Sequence, residues 1–345
     1  MRSIDARAWF IWLMAGGLLA ILIGNPLYLL FLLLISRLVE YACAPAEPER
    51  WRLPFWRITL VILLFSSLFN MLTAHVGQTV LFSLPSAWPL VGGPITLEAA
   101  VYGFISGFRL VTLLSFFLAF NMIVPVSELA GITPRALHEL GLVMLIAITY
   151  VPETARQFNR IRDAQAIRGH QFNGLRAWRP VIVPLLISGM ERALNLSETM
   201  VSRGYGSTTQ IATPLRARLL LIMGLMLALG GTLRLAWAAS EGWLILGVGI
   251  AAIFWAYRDL SRLVSRTRYR PRRRAANESY IVIGALVSLV PLLPLPGFLP
   301  PFLQYSPYPV LSMPPFSVWT GLALMGLIIP VVLYIIGREQ KELID

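Results

Sequence analysis

Two Arg-Gly pairs carry the most specific chemistry in this chain. Arg168-Gly169 and Arg203-Gly204 stand 35 residues apart, and each closes an amphipathic stretch with helical spacing. A guanidinium binds a carboxylate through two parallel hydrogen bonds, and glycine lets the backbone approach another surface closely. The two pairs therefore predict recognition of acidic residues by helix ends.

Helix capping alone also explains one such pair. Glycine adopts the left-handed conformation that ends many helices, and a cation near the last carbonyls is favourable by about 0.3–1 kcal/mol. Two identical endings on two amphipathic helices of one basic segment weaken this explanation. They favour docking of each helix into a groove on a partner, with the apolar stripe buried beside the arginine.

The composition indicates a membrane protein. Hydrophobic residues make up 57% of the chain and charged residues 13%, whereas a soluble domain carries about 25% charged residues. The net charge of +12 comes from arginines that fall in the loops of one side, as lipid-facing proteins require. We therefore expect a lipid bilayer as the environment and no nucleic acid as a partner.

The same composition argues against catalysis by this chain. Lys341 is the one lysine, and its Gln-Lys-Glu context is not the Gly-Lys-Ser/Thr of a phosphate-binding loop. A lone Cys43 cannot form an internal disulfide, and His75, His138 and His170 are too widely spaced for a zinc site. We predict no enzymatic activity, no cofactor and no bound metal.

Eight stretches are apolar and long enough to be considered as membrane spans. Asn25-Pro26 interrupts the first apolar region and predicts two short helices there, with one long tilted helix as the alternative. The predicted spans are Trp9–Ile23, Leu27–Tyr41, Trp56–Leu81, Glu98–Met122, Leu215–Trp237, Trp243–Tyr257, Tyr280–Leu293 and Val318–Ile336.

The distribution of arginine predicts the sidedness. Ser83–Leu97 and Pro294–Ser317 contain no Lys or Arg and are expected outside, whereas the arginine-rich loops are expected inside. Both termini are then cytoplasmic, in the inner (plasma) membrane of a bacterial or archaeal cell. The Pro- and aromatic-rich segment Pro294–Ser317 is expected to lie flat at the outer interface as a cap.

A few polar residues lie within the predicted spans. Arg109 falls near the middle of its helix, and a mid-membrane arginine is a candidate functional residue. Asn70, His75 and Gln78 fall in or near the preceding span. A structural hydrogen bond from Arg109 to these neighbours is the alternative. The span centres lack Asp and Glu, which argues against a self-sufficient ion-coupled carrier.

The segment between residues 125 and 213 predicts two long cytoplasmic helices. The first runs from about His138 to Arg168 with a bend at Pro152, and the second from about Pro180 to Arg203. Both show apolar residues at helical spacing. The stripes are Phe158, Ile161, Ala164 and Ile167 on the first helix, and Leu186, Met190, Ala193, Leu194, Ser197 and Met200 on the second.

The two helix ends resemble a known family. Asp163–Gly169 and Thr199–Gly206 are similar to the paired Ala-Arg-Gly signatures of the transmembrane T component of energy-coupling factor (ECF) transporters. Tyr150-Val151-Pro152-Glu153 before the first signature also matches. Ile167 and Ser202 replace the alanine that precedes each arginine in the family. The resemblance covers about residues 5–260 and says nothing about the last 80 or so.

The resemblance implies two cytosolic ATPase subunits and one small substrate-binding membrane subunit as partners. It implies that the helix tips insert into grooves of the ATPases, and that ATP-driven closure reorients the membrane subunit to release a vitamin or a metal ion inside. The implied coupling residues are Arg168, Gly169, Arg203, Gly204, Ala164, Gln165, Met200 and Tyr205.

We therefore predict an all-α polytopic membrane protein with about eight spans and two long crossing cytoplasmic coupling helices. The expected divisions are 1–124, the first membrane helices; 125–213, the coupling helices; 214–275, two membrane helices and a basic loop; and 276–345, an extra pair of membrane helices. The alternatives are a substrate-lining permease subunit of an ordinary ATP-driven importer and a stand-alone secondary transporter.

Overall fold

The computed structural model describes residues 4–44, 54–83, 92–129, 138–170, 174–205, 214–237, 241–263, 276–292 and 302–342. Its α-helices are α1 Ala6–Leu22, α2 Pro26–Cys43, α3 Phe55–Thr73, α4 Leu97–Ile123, α5 Val126–Leu129, α6 His138–Ile167, α7 Arg179–Ser202, α8 Leu215–Ala236, α9 Gly242–Leu263, α10 Ala276–Ser288, α11 Val318–Leu324 and α12 Ile329–Glu342. Short 3-10 turns occupy Leu175–Trp178, Val290–Leu292 and Met325–Ile328.

The predicted all-α membrane fold is confirmed. Two shorter apolar helices, Ala6–Leu22 and Asn277–Leu292, join six longer ones, and together they correspond to the eight predicted spans. The six helices long and apolar enough to cross a membrane are Pro26–Cys43, Phe55–Thr73, Leu97–Ile123, Leu215–Leu235, Gly242–Leu260 and Val318–Ile336.

The third predicted span was wrong at its C-terminal end. α3 stops at Thr73, and the chain then forms a two-stranded antiparallel sheet from β1, Val80–Ser83, and β2, Pro94–Thr96. The β-branched and aromatic residues of this stretch fit a pleated strand as well as an apolar helix. The hairpin leads directly into α4, whose first turn is capped by the Thr96 hydroxyl.

The chain divides into two compact units, residues 1–129 with 272–345, and residues 130–271. In the first unit the break between α1 and α2 confirms the two-helix prediction. The Asn25 side chain accepts a hydrogen bond from the backbone N–H of Leu27, and Pro26 occupies the first turn of α2. This is a standard helix start, because the asparagine oxygen accepts from a backbone N–H that has no helical partner, and the proline has no N–H to satisfy.

Helix α4 lies at the centre of the first unit and contacts α1, α2 and α3. Close approach relies on small residues. An added Cβ at Gly103 would meet the carbonyl oxygen of Ser66 on α3 at 2.6 Å, and the Ser36 hydroxyl on α2 hydrogen bonds to that of Ser115. Such small-residue contacts with interhelical hydrogen bonds are typical of packing between membrane helices.

The described part of the predicted outer segment, 302–317, packs on the α1–α2 turn. The Leu303 carbonyl accepts the backbone N–H groups of Gly24 and Asn25 at 3.0 and 3.2 Å. The Asn25 amide donates to the Phe302 and Pro315 carbonyls at 2.9 and 2.6 Å. The C-terminal region therefore satisfies backbone groups that the helix break leaves unpaired. Its position at the membrane interface stays a prediction.

In the second unit α8 and α9 form a close pair. The pair relies on glycine: an added Cβ at Gly231 would lie 2.6 Å from the backbone nitrogen of Leu246, and one at Gly249 would lie 2.6 Å from that of Ala228. Most other large apolar residues of both helices are exposed, as expected for surfaces that face lipid. The remaining helices of this unit, α6 and α7, carry the two Arg-Gly pairs.

Candidate functional site

The first Arg-Gly pair ends α6 in a Schellman cap. Gly169 has φ +80°, and its N–H donates to the Ala166 carbonyl at 3.0 Å. The N–H of His170 donates to the Gln165 carbonyl at 3.1 Å. These two bonds satisfy two of the carbonyls that the helix end leaves without an intrahelical partner, and the left-handed φ explains why glycine follows the arginine.

The second pair ends α7 with the same geometry. Gly204 also has φ +80°, and its N–H donates to the Val201 carbonyl at 2.9 Å. The N–H of Tyr205 donates to the Met200 carbonyl at 3.0 Å. Each bond joins residues 35 positions beyond those of the first cap, so the two endings are equivalent residue by residue. The capping role predicted for both glycines is confirmed.

Capping leaves both arginine side chains available for binding. Arg168 and Arg203 are exposed, and neither has a carboxylate within ion-pair distance in the described part of the chain. Exposed apolar side chains lie beside them: Ile167 is 89% exposed and Val201 67%. Each helix end therefore offers a guanidinium fork next to an uncovered aliphatic surface, which suits docking against an acidic, partly apolar groove.

The other predicted coupling residues also belong to these two ends. Gln165 and Met200 are half-buried and supply the carbonyls that the caps use. Ala164 is exposed on the last turns of α6, and Tyr205 is exposed directly after the second cap. Whether these residues contact a partner stays a prediction.

Helices α6 and α7 contact each other through polar residues. Nη2 of Arg192 donates to Oε1 of Gln157 at 2.8 Å and lies 4.0 Å from Oε1 of Glu153. The centre of the same guanidinium lies 5.8 Å from the centroid of the Tyr150 ring. Sequence reasoning noted Glu153 only as part of the match at Tyr150-Val151-Pro152-Glu153 and did not anticipate this contact. The 35-residue offset between Gln157 and Arg192 was the available signal.

Further contacts join α6 to the start of α7. The Phe158 and Trp178 rings stack with centroids 5.9 Å apart, and Nε2 of His170 lies 2.7 Å from the Ala177 carbonyl oxygen. These contacts lie on both sides of the short connection between the two helices. The predicted bend at Pro152 stays a prediction, although α6 continues unbroken through this residue.

The apolar stripe predicted on α7 is uncovered except at Met200, which is half-buried. Leu186, Met190 and Leu194 are all exposed, because α7 turns the Arg192 side toward α6. On α6 the stripe divides: Phe158 is half-buried against Trp178, whereas Ile167 at its end is exposed. A contiguous exposed apolar stripe on a helix marks an interaction surface or a lipid-facing one.

The polar residues of the membrane helices are not brought together. Arg109 does not hydrogen bond to Asn70, His75 or Gln78 among the described residues, so the structure does not support the alternative of a structural bond to these neighbours. Its role as a candidate functional residue stays a prediction. Nη2 of Arg109 instead lies beside Gly24 at the α1–α2 turn, where a Cβ added to this glycine would be 3.1 Å away from it. Asn70 packs on Gly103 of α4, and His75 packs on Gly93. The nitrogens Arg109 Nε and His75 Nε2 are buried without a hydrogen-bond partner in this part of the structure.

Glu98 is a buried charged residue that sequence reasoning set aside as a helix-end position. Its carboxylate accepts hydrogen bonds from the backbone N–H groups of Gln78 and Thr79 and from the Thr79 hydroxyl. It thereby fastens the loop after α3 to the start of α4. Nearby, burial raises the pKa of the Tyr308 phenol, with smaller contributions from Tyr102 and Glu98.

The geometry at the two helix ends supports binding rather than chemistry. Within the described residues, groups of three or more His, Cys, Asp or Glu that could hold a metal ion are absent. What the ends offer is two equivalent cations on rigid helices, each held by a complete backbone cap. Such an arrangement suits recognition of two similar acidic sites.

Comparison with known proteins gives a consistent result. The profile of the CbiQ family, described as cobalt transport protein, matches residues 1–215 and so includes both Arg-Gly pairs. The chain is 31% identical over 160 residues to the energy-coupling factor transporter transmembrane protein EcfT of Lactococcus lactis, covering 42% of this chain and 58% of the relative. It is 24% identical over 196 residues to EcfT of Streptococcus thermophilus, covering 52% and 68%.

A shorter region is more similar still. Over 74 residues the chain is 42% identical to EcfT of Thermotoga maritima, covering 20% of this chain and 27% of the relative. The matches to the Lactococcus lactis and Lactobacillus helveticus proteins span 58% and 56% of those relatives, little more than half of their length. The family match does not extend to residues 216–345.

Proposed function

Because the chain belongs to the CbiQ family of cobalt transport proteins, we propose that it is the energy-coupling transmembrane subunit of an ECF-type importer. Several relatives carry the name energy-coupling factor transporter transmembrane protein. The chain itself hydrolyses no ATP in this proposal. It transmits the closure of two cytosolic ATPase subunits to a small substrate-binding membrane subunit, for uptake of a vitamin or a transition-metal ion.

The observation that carries the proposal is the equivalence of the two helix ends. α6 and α7 both end in a Schellman cap beside an exposed arginine. Every residue of the second end lies 35 positions after its counterpart in the first. Two equivalent ends suit two similar partner sites. A single acidic partner, or helix capping alone, would not require this duplication.

In the proposed mechanism each arginine seats in a groove of one ATPase subunit. Arg168 and Arg203 bind carboxylates there through both edges of the guanidinium, and Gly169 and Gly204 permit close backbone approach. When ATP closes the ATPase pair, the two tips are displaced together. Burial of the exposed α7 stripe, including Leu186 and Met190, against the substrate-binding subunit passes this displacement into the membrane.

The proposal places α6 and α7 on the cytoplasmic side of a bacterial or archaeal plasma membrane, together with both termini. The absence of Lys and Arg from Ser83–Leu97 and Pro294–Ser317 supports this orientation. It can be checked with cysteines introduced into the exposed positions Ile167 and Met313 of a Cys43→Ala chain. A membrane-impermeant maleimide added to intact cells is expected to label residue 313 but not residue 167, and the reverse pattern contradicts the orientation.

Co-purification and transport test the function itself. The tagged chain, isolated from its native membrane, is expected to bring down two copies of P-loop ATPase subunits and one small membrane protein. The double variant Arg168→Ala/Arg203→Ala is expected to lose the ATPases and ATP-dependent uptake. Arg160→Ala serves as the matched control, because Arg160 is an exposed arginine of α6 outside the two caps. Full uptake and retained ATPases in the double variant would contradict the proposal.

A further inference from the structure

One contact between α6 and α7 joins equivalent positions of the two helices. Gln157 and Arg192 are hydrogen bonded and are separated by 35 residues, the offset that also separates Arg168 from Arg203. Each partner in this bond therefore stands 11 residues before the arginine of its own helix end. At 1.5 Å per residue, each arm from the contact to the tip is about 16 Å long.

The Arg192 side chain uses two different surfaces in this contact. The edge of its guanidinium donates to Gln157 at 2.8 Å and faces the Glu153 carboxylate at 4.0 Å. The same group lies 5.8 Å from the centroid of the Tyr150 ring, within the range of a cation–π interaction. With the side chain only 33% exposed, this is a partly desolvated contact, which is stronger than an ion pair at a fully exposed surface.

The contact is placed where it can control the relative position of the two ends. Phe158 and Trp178 hold only the start of α7 against α6. Beyond Arg192, Leu194 and Val201 are exposed, whereas Leu196 and Met200 are half-buried on the same side of α7 as Arg192. In the described residues, the hydrogen bond and the ion pair between the bodies of the two helices both involve Arg192. Without Arg192, the C-terminal half of α7, which carries Arg203, would lose the polar contacts that fix its position on α6.

We infer that Arg192 is a positioning residue that fixes the two Arg-Gly ends relative to each other. Both tip arginines follow the Gln157–Arg192 contact by 11 residues, so the tips lie at equal distances from it along their helices. A displacement at one tip is then transmitted to the other about a shared fixed point. The inference rests on the proposed function only for its consequence in transport, since the fixing of the two ends is a property of this chain alone.

The distance between the two tips tests the positioning role without any partner. Spin labels at the equivalent exposed positions Ile167 and Ser202, in a Cys43→Ala chain in lipid nanodiscs, report this distance by pulsed electron paramagnetic resonance. Arg192→Ala is expected to broaden the distance distribution clearly, and Gln157→Ala, which removes the same bond from the other side, is expected to do likewise. Gln157→Glu, which offers a carboxylate in place of the amide, is expected to keep it narrow.

Arg160→Ala is the matched control for these measurements, because it removes an exposed arginine from α6 without touching the contact. It is expected to leave the distribution unchanged. An unchanged distribution in both Arg192→Ala and Gln157→Ala would overturn the positioning role. Melting temperatures of the unlabelled variants separate a loosened helix pair from a misfolded chain, since only the latter loses its cooperative transition.

The consequence for transport is measured on the assembled complex. Arg192→Ala retains both Arg-Gly ends, so its association with the ATPase subunits is expected to stay within about twofold of the parent. The number of substrate molecules imported per ATP hydrolysed is expected to fall about tenfold. One lost charge-assisted hydrogen bond lowers the population of correctly positioned helix ends by about this factor. An unchanged ratio, together with a broadened tip distance, would refute transmission through Arg192. If ATPase subunits fail to bind the parent chain, the proposed function fails, whereas the label distances still decide the positioning role.

Discussion

Replacing Arg203 with alanine separates docking from helix capping. The cap of α7 consists of backbone bonds, from Gly204 to Val201 at 2.9 Å and from Tyr205 to Met200 at 3.0 Å, and the substitution leaves them in place. The helix loses only a favourable cation near its C-terminus, worth less than about 1 kcal/mol. We therefore expect the melting temperature to fall by no more than about 4 °C.

The effect of this substitution on binding is expected to be much larger. If Arg203 pairs with a carboxylate in a desolvated groove, its removal costs about 2–5 kcal/mol, which raises the dissociation constant for one ATPase subunit at least about 30-fold. Titration of purified ATPase onto the chain in nanodiscs measures this constant. Arg203→Lys, which keeps the charge without the fork, is expected to bind more weakly than the parent but better than Arg203→Ala.

The comparison variant Gly204→Ala perturbs the cap instead of the contact. A residue with a Cβ at φ +80° costs about 1–2 kcal/mol, so this variant is expected to lose stability. Binding within twofold of the parent for Arg203→Ala, combined with a loss of stability as large as that of Gly204→Ala, would refute the reasoning. In that case the arginine would serve the helix end alone.

Two further predictions concern the packing that supports the site. Gly231→Ala is expected to destabilise the α8–α9 pair, because its Cβ would lie 2.6 Å from the Leu246 nitrogen. Gly230→Ala has open space around its Cβ and is expected to be tolerated, so equal melting temperatures of the two variants would contradict the prediction. Asn25→Ala is expected to lower the free energy of unfolding by about 1–3 kcal/mol, because it leaves the Phe302 carbonyl without its donor. A free energy of unfolding equal to that of the parent would show that this bond is not required.

Much of the site could be predicted because its structure is local. A left-handed glycine after an arginine needs no distant residue, since the bonds that close each end run between residues at most five positions apart. The break at Asn25-Pro26 was equally predictable, because the proline lacks an N–H and the asparagine side chain supplies an acceptor for a free N–H of the next helix. Span lengths followed from apolar length alone, except at α3, where a strand-forming sequence is also apolar.

The faces through which helices meet were much harder to predict. Sequence reasoning grouped Arg109 with Asn70 and His75 because they are close along the chain, yet Arg109 lies beside Gly24 at the α1–α2 turn. In membrane helices nearly every face is apolar, so hydrophobic periodicity does not identify the packed side. The identity of the neighbour then depends on how small residues let the helices approach.

The amino-acid sequence by itself determined the membrane class of this protein, the approximate positions of its helices except at the end of α3, and the two equivalent Arg-Gly ends. All of these depend on apolar length, on the absence or presence of backbone donors and on hydrogen bonds within one turn of helix. The tertiary structure alone decided that α7 turns Arg192, and not its apolar stripe, toward Gln157 of α6. The facing side of α7 depends on which side chains of two separate helices meet. A half-buried guanidinium needs a hydrogen-bond partner, whereas the apolar stripe can be buried against another protein or lipid.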